Sequence, residues 1–327
     1  MSELHKFIFE GQPVRGMLVR LTDSWQEVLS RREKAQDAFA PPVSNLLGEM
    51  AAAAVLMQAN IKFNGALILQ MHGDGPIKLA VAQVEPDLAF RVTAKVMSEV
   101  KAGDGLEALM NVRGQGRCAI TLDPKDKKPG QQPYQGVVSL HAYGQGGERM
   151  PLQGLGQVLG NYMLQSEQLD TQLILAADDR LAAGLLIQRL PAHGTANLGG
   201  ARSGDEIGVS EAYNRIAHLA ATLTREELLS LDVETILRRL FWQEPIRRFA
   251  PMKGASGPRF ACTCSREHVG HMLKGLGRAE VEDIIVEQGR AEIGCDFCGT
   301  KYHFDLVDVG GLFTPLTNQM PGSSSIN

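Results

Sequence analysis

Two close cysteine pairs, Cys262-Thr-Cys264 and Cys295-Asp-Phe-Cys298, with thirty residues between them, hold four of the five cysteines of this 327-residue chain. Two dithiol knuckles brought together set four sulfurs at the corners of a tetrahedron, the arrangement Zn2+ accepts in closed sites. Gly299 follows the second pair, where a tight turn behind a metal knuckle favours a residue without a Cβ. The spacing therefore points to one zinc ion per chain, held by Cys262, Cys264, Cys295 and Cys298. Cys-x-Cys is less usual in a purely structural ribbon. Two readings stay open on spacing alone. One is an inert structural site. The other is a redox site, because cysteines two or three residues apart in a turn are also close enough to bond to one another. A sulfur cannot be a zinc-bound thiolate and half of a disulfide at once, so oxidation of such a site ejects the metal.

The other candidate residues read more plainly. His268, His271 and His303 lie near the cysteines, but four sulfurs already fill a tetrahedron, so they are expected on the surface or in packing. Cys118, before Ala119-Ile120 in an apparent strand, reads as a buried small hydrophobe. His72-Gly-Asp-Gly-Pro76 lacks the Gly-Lys-Ser/Thr ending of a phosphate loop and reads as a hairpin turn with two glycines free to take positive φ. No Ser/His/Asp or paired-carboxylate constellation stands out.

Elements must bring the cysteines together. The spacing predicts a hairpin over residues 5–21, a helix from Asp23 to about Ala40, and, after Pro41-Pro42, an apolar helix over 43–59 buried against a sheet. Strands are expected at Ala66–Met71, Ile77–Val84, Phe90–Val96, Cys118–Leu122 and Tyr134–His141, with a mobile polar loop from Asp123 to Pro133. A helix over 151–168 and strands at Leu173–Ala177 and Ala182–Leu190 follow. The fold class is α+β around a largely antiparallel sheet. Three parts are expected: a core over 1–190, a connector and amphipathic helical linker over 191–261, and a zinc module over 262–327 that ends in a disordered tail. The stretch 191–205 is rich in Gly, Ala and Ser and marks the flexible connector. The linker helices span Val209–Leu223, Arg225–Leu231 and Val233–Trp242. Thr224 with Glu227 is a capping-box signal for the second, and Asp232 caps the third without a box. They are too short to stand alone and must dock on something. In the module, Ser265–Leu276 and Arg278–Glu287 read as helices. A segment this small needs a staple, and the metal supplies it.

Composition excludes some partners. A net charge of −4 gives no general attraction to nucleic acid or anionic membranes, and the chain from Cys262 onward carries nine Asp/Glu against five Lys/Arg. No apolar run reaches membrane-span length, and the N-terminus lacks the order of a secretory signal, so a cytoplasmic location is expected. Cysteines in a reducing compartment are ligands or redox-active thiols rather than standing disulfides.

At these residues the chain resembles the heat-shock protein 33 family of redox-regulated holdase chaperones. The likeness rests on Cys262-Thr-Cys264-Ser265-Arg266-Glu267 with Cys295-Asp-Phe-Cys298-Gly299. Gly73-Asp-Gly-Pro76, Tyr134-Gln-Gly-Val137 and Tyr162-Met-Leu-Gln-Ser-Glu-Gln168 add to it, and it runs from about Leu4 to Phe313. The connector at 191–205 and the C-terminal tail depart from the family pattern without touching the ligands. The resemblance implies a non-enzymatic, ATP-independent chaperone, monomeric and inactive when reduced and zinc-loaded. Peroxide or hypochlorite with mild unfolding stress would form Cys262–Cys264 and Cys295–Cys298 disulfides and release zinc. The linker would then expose apolar surface, the active form would dimerise, and unfolded or oxidatively damaged client proteins would be held against aggregation. Two other classes remain: a zinc-ribbon module binding protein or nucleic acid, the latter disfavoured by the acidic module, and a thiol–disulfide oxidoreductase using Cys295 and Cys298.

Overall fold

The structure is a computed structural model that describes residues 1–127, 130–144, 146–190 and 211–314. The chain divides into two compact units, Met1–Ala261 and Cys262–Asn327. The architecture is α+β with antiparallel sheets.

The first unit opens with the hairpin β1 (Glu3–Phe9) and β2 (Val14–Leu21), then α1 (Asp23–Lys34) and α2 (Pro41–Asn60). Strands β3 (Gly65–His72), β4 (Ile77–Val84) and β5 (Ala89–Val96) follow, then α3 (Leu106–Met110), β6 (Arg117–Pro124) and β7 (Tyr134–Ser139). A small hairpin, β8 (His141–Tyr143) with β9 (Arg149–Pro151), leads to α4 (Leu155–Ser166), β10 (Thr171–Ala177) and β11 (Ala182–Arg189). The unit closes with α5 (Glu211–Ala221), α6 (Arg225–Ser230), α7 (Val233–Phe241) and the short strands β12 (Ile246–Arg248), β13 (Met252–Lys253) and β14 (Arg259–Phe260).

Two six-stranded sheets result. One runs β10-β11-β2-β1-β12 with β13 also on β1; the other runs β14-β5-β4-β3-β6-β7, antiparallel throughout except for the β14/β5 pair. Pro41 and Pro42 start α2, where a missing N–H costs nothing. The helix is buried nearly all round because it packs against β2, β10 and β11 of one sheet and β3, β4 and β5 of the other. An amphipathic helix could not fill that place, which is why its sequence lacks a polar face.

The opposite face of the first sheet carries α5, α6 and α7. Every position of β11 is buried, as expected of a strand covered on both sides. Gly184 faces Leu56 and Ala52 of α2, whereas Ala183, Leu185 and Ile187 join a core with Tyr213, Ile216, Leu228, Ile236, Leu240 and Phe241. Phe9 meets Phe241 edge-on at 5.0 Å. The capping box at Thr224 and Glu227 is present, and Asp232 accepts from the Thr235 amide at 2.9 Å. Polar clamps fasten these short helices. Arg20 of β2 donates to the carbonyls of Leu228 (2.9 Å) and Leu231 (2.6 Å), the orphan acceptors of the α6 C-terminus. In return Arg225 donates to the carbonyl of Ala177 and faces Glu49 of α2 at 3.7 Å.

The second unit contains α8 (Arg266–Leu276), α9 (Arg278–Gln288), the hairpin β15 (Ala291–Gly294) with β16 (Lys301–Phe304), and α10 (Leu306–Phe313). Its buried core is Val269, Leu273, Val281, Ile285, Ala291, Phe304 and Val309. Arg266 ties it together, pairing with Asp308 at 2.7 Å, donating to the carbonyl of His303 at 2.6 Å and lying over the Phe304 ring.

Several expectations need correcting. The first helix ends at Lys34 rather than near Ala40, with Gln36 at φ +57°. The chain turns back there over Arg32, which pairs with Asp37, donates to Thr93 and stacks on Phe39. The strand expected to reach His141 breaks at Leu140, whose amide instead bonds the Gly116 carbonyl at 3.0 Å. Neither Gly73 nor Gly75 has positive φ. Glycine is needed for close backbone approach instead: a Cβ would lie 2.2 Å from the Ile77 carbonyl oxygen at Gly73 and 2.6 Å from that of Leu109 at Gly75. The connector 191–205, the helix start at Val209 and the tail from Pro321 lie outside the described residues.

Candidate metal centre

The four cysteines arrive on two different local structures. Cys262 and Cys264 lie between β14 and α8, and Ser265 caps α8 by accepting from the His268 amide at 3.1 Å. That places Cys264 beside the positive end of a helix, which favours a thiolate. Cys295 follows β15 directly, and Cys298 lies in the turn before β16. The Cys295 amide donates to the Thr300 carbonyl at 2.9 Å and the Gly299 amide to the Cys295 carbonyl at 2.8 Å. Gly299 sits at φ +70°, a left-handed conformation that favours glycine. Strand pairing in the β15/β16 hairpin, with Gly294 opposite Lys301, sets the knuckle's orientation.

All four sulfurs lie within 4.8 Å of one another. Cys262 Sγ and Cys295 Sγ are 3.6 Å apart, and Cys264 Sγ and Cys298 Sγ 3.3 Å. A tetrahedron with metal–sulfur arms of about 2.3 Å has edges of about 3.8 Å, so the spacing matches a ZnS4 centre. It is well beyond the bond length of about 2.0 Å in a disulfide, and all five cysteines are free. Both of these close contacts join one knuckle to the other, so the two pairs converge on one point.

The electrostatics call for a cation. Burial pushes the thiols of Cys262, Cys264 and Cys295 up. Burial acts the same way on Cys298, but hydrogen bonds with the Thr300 hydroxyl and amide and with the Cys264 and Cys295 sulfurs together outweigh it and hold that thiol down at about 7. Four thiolates crowded this closely repel one another unless a dication compensates them. A donor set of four sulfurs, with no carboxylate or imidazole in the cluster among the described residues, suits Zn2+ better than Mg2+ or Ca2+.

Two neighbours were not foreseen from the sequence. Tyr302 Oη donates to Cys264 Sγ at 3.2 Å, and Thr300 Oγ1 lies 3.2 Å from Cys298 Sγ. The hydrogen bond with Cys264 pushes the Tyr302 phenol up to about 12. Such outer contacts orient metal-binding sulfurs and tune their charge. His303 instead pairs with Glu292 at 3.3 Å, and His268 contributes its amide to the α8 cap. Cys118 is fully buried on β6, and burial pushes its thiol up to about 12, which makes it inert. Cys295-Asp-Phe-Cys298 lies in a strand-to-strand turn and lacks the helix N-terminus that activates an oxidoreductase thiol.

A family model described as Hsp33 protein matches residues 2–305. A 33 kDa chaperonin of Chromobacterium violaceum is 44% identical over 312 residues, covering 95% of this chain and 94% of the relative. One from Methylobacillus flagellatus is 41% identical over 316 residues, covering 96% and 94%. Among solved structures, a 33 kDa chaperonin from Thermotoga maritima, a heat shock protein 33 homolog, superposes with a TM-score of 0.70 at 20% identity, covering 95% of this chain and 98% of the other. At that identity the likeness is one of fold. No described helix is long and apolar enough to cross a membrane.

Proposed function

Because this chain belongs to the Hsp33 family, we propose that it is a non-enzymatic chaperone whose activity is controlled by oxidation of Cys262, Cys264, Cys295 and Cys298. The observation that carries this reading is the meeting of four sulfurs within 4.8 Å in a unit whose buried core, among the described residues, is seven side chains. A core that small contributes too little to hold the unit alone, so its order depends on the cross-link between the knuckles. Zinc, when bound, supplies that cross-link and the charge compensation for four thiolates.

Oxidation removes both. Each cysteine pair gives two electrons to one peroxide, which takes up two protons for each pair and leaves as two waters. Disulfides Cys262–Cys264 and Cys295–Cys298 form, and the four sulfurs, no longer thiolates, would give up a bound dication. The chain just before Cys262 is fastened at β14, two residues paired in parallel with β5, by the Ala261 amide on the Phe90 carbonyl at 3.0 Å and by Arg259, which pairs with Asp87. Loss of order beyond it reaches the linker, residues 191–261, by chain continuity. Release of α5–α7 then uncovers their apolar faces and the side chains they cover, including Phe7, Leu18, Leu185 and Ile187. Unfolded or oxidatively damaged clients bind there without ATP, and the oxidised form dimerises through the same kind of surface. In this scheme residues 1–190 are the core, 191–261 the releasable linker and 262–327 the switch, in a cytoplasmic protein that binds neither nucleic acid nor membrane.

The test is suppression of light scattering by a heat-denatured client. The reduced, zinc-loaded protein is expected to have little effect, and the peroxide-treated protein to suppress scattering at near-stoichiometric ratio. Equal suppression by both forms contradicts the switch.

A further inference from the structure

A cavity of about 360 Å³ lies in the first unit beside the end of α2, within the range of about 300–1,000 Å³ typical of small-molecule sites. Met57, Leu67, Ile120, Leu122, Met163 and Leu186 make its walls apolar. Two sets of polar groups also line it. One is Glu167, whose Oε1 accepts from the hydroxyls of Tyr134 at 3.1 Å and Tyr162 at 2.9 Å. Tyr134 and Tyr162 come from stretches that resemble the family yet take no part in the cysteine chemistry. Gly136 lets them meet, since a Cβ there would stand 2.5 Å from the Tyr162 ring.

The other set is cationic. Arg15 of β2 lines the cavity and directs Nε and Nη2 to a neutral acceptor, Gln188 Oε1. On β1, Lys6 donates to the carbonyl of Ala59 at 2.7 Å, one residue before cavity-lining Asn60. Both cations are half-buried, and neither has a carboxylate within ion-pair reach among the described residues. Burial pushes both down, and Arg15 adds to the effect on Lys6. The end of α2 offsets only about half a charge. Net positive charge is therefore left beside an apolar hollow, where desolvated cations favour a counter-ion.

We propose that this cavity binds a small organic monoanion with an apolar body, its acidic group on Arg15 and its hydrocarbon among Leu67, Ile120 and Leu122. The guanidinium keeps three N–H groups for a planar acid, and such forks match carboxylates. Glu167 on the same cavity disfavours a dianion such as a phosphate ester. The site belongs to the first unit and is independent of the cysteines.

The test is calorimetric titration of the reduced, zinc-loaded full chain with octanoate and, as the neutral counterpart, octan-1-ol. One octanoate per chain is expected, bound about tenfold or more tighter than the alcohol, the ratio for one charge-assisted contact. Arg15→Gln removes that preference and leaves the alcohol's affinity unchanged, whereas Arg15→Lys restores part of it. Leu122→Trp fills the hollow and abolishes binding of both probes. Equal affinity for the two probes, no octanoate binding at millimolar concentration, or octanoate affinity unchanged in Leu122→Trp overturns the proposal. Unfolding midpoints of each variant establish that it is folded, and Leu122→Trp decides the matter if Arg15→Gln is not.

Discussion

Replacing Arg20 with Met keeps the aliphatic stem that packs on the sheet and deletes the guanidinium that holds the end of α6. Two of its hydrogen bonds are well formed, to Leu228 at 2.9 Å and Leu231 at 2.6 Å; the third, to Leu229 at 3.5 Å, is at the limit and adds little. Hydrogen bonds from a charged group contribute about 1.5–3 kcal/mol each when sheltered. Arg20 is half-buried, so water competes for part of this, and a loss of about 2 kcal/mol for the pair follows. That raises the population of undocked linker about thirtyfold. Native-state hydrogen exchange of the reduced, zinc-loaded protein measures it directly: amides of α5–α7 are expected to exchange about thirtyfold faster, with amides of the central helix α2 unchanged. Unchanged exchange in α5–α7 refutes the view that this clamp docks the linker.

Two further substitutions probe the site and the docking surface. Cys262→Ser leaves three sulfurs, so metal content should fall well below one zinc per chain and near-UV signals of the second unit should be lost; full zinc occupancy in the variant rules the ligand set out. Glu49 faces Arg225 across the α2/α6 contact, and burial pushes its carboxyl up to about 7 against the pull of that cation. The folded state therefore binds a proton more tightly than the unfolded chain between about pH 4.5 and 7, so this group's stabilisation falls as pH rises through that window. Glu49→Gln should flatten the slope and raise stability at pH 7.5 relative to pH 5 by about 2 kcal/mol compared with the parent. Denaturant midpoints at the two pH values check it, and identical slopes in both proteins count against it.

The clustering of the four cysteines was readable because a metal-binding pattern depends on residue type and short spacing, both explicit in Cys262-Thr-Cys264 and Cys295-Asp-Phe-Cys298. Local signals were similarly clear: β4 runs from Ile77 to Val84 as its alternation indicates, and Thr224 and Glu227 form their reciprocal cap. What stayed hidden depends on contacts between distant residues. Tyr302 reaches Cys264 only because the β15/β16 register brings its strand beneath the first knuckle. The end of α1 is set by Arg32 meeting Asp37, Phe39 and Thr93 rather than by a breaker residue. The helix α3 and the strands β12–β14 are too short to show a period. The face on which α5–α7 dock was unreadable because β11 is apolar at nearly every position and so has no sequence-visible side.

The most direct test is a peroxide titration followed simultaneously by chelator absorbance, disulfide mapping and amide exchange over residues 262–314. One zinc ion should leave each chain as four thiols disappear, the bonds should be Cys262–Cys264 and Cys295–Cys298, and amide protection in the second unit should vanish in the same step. Metal that stays bound while clients are held, or a second unit that keeps its protection after the metal has gone, would contradict the account.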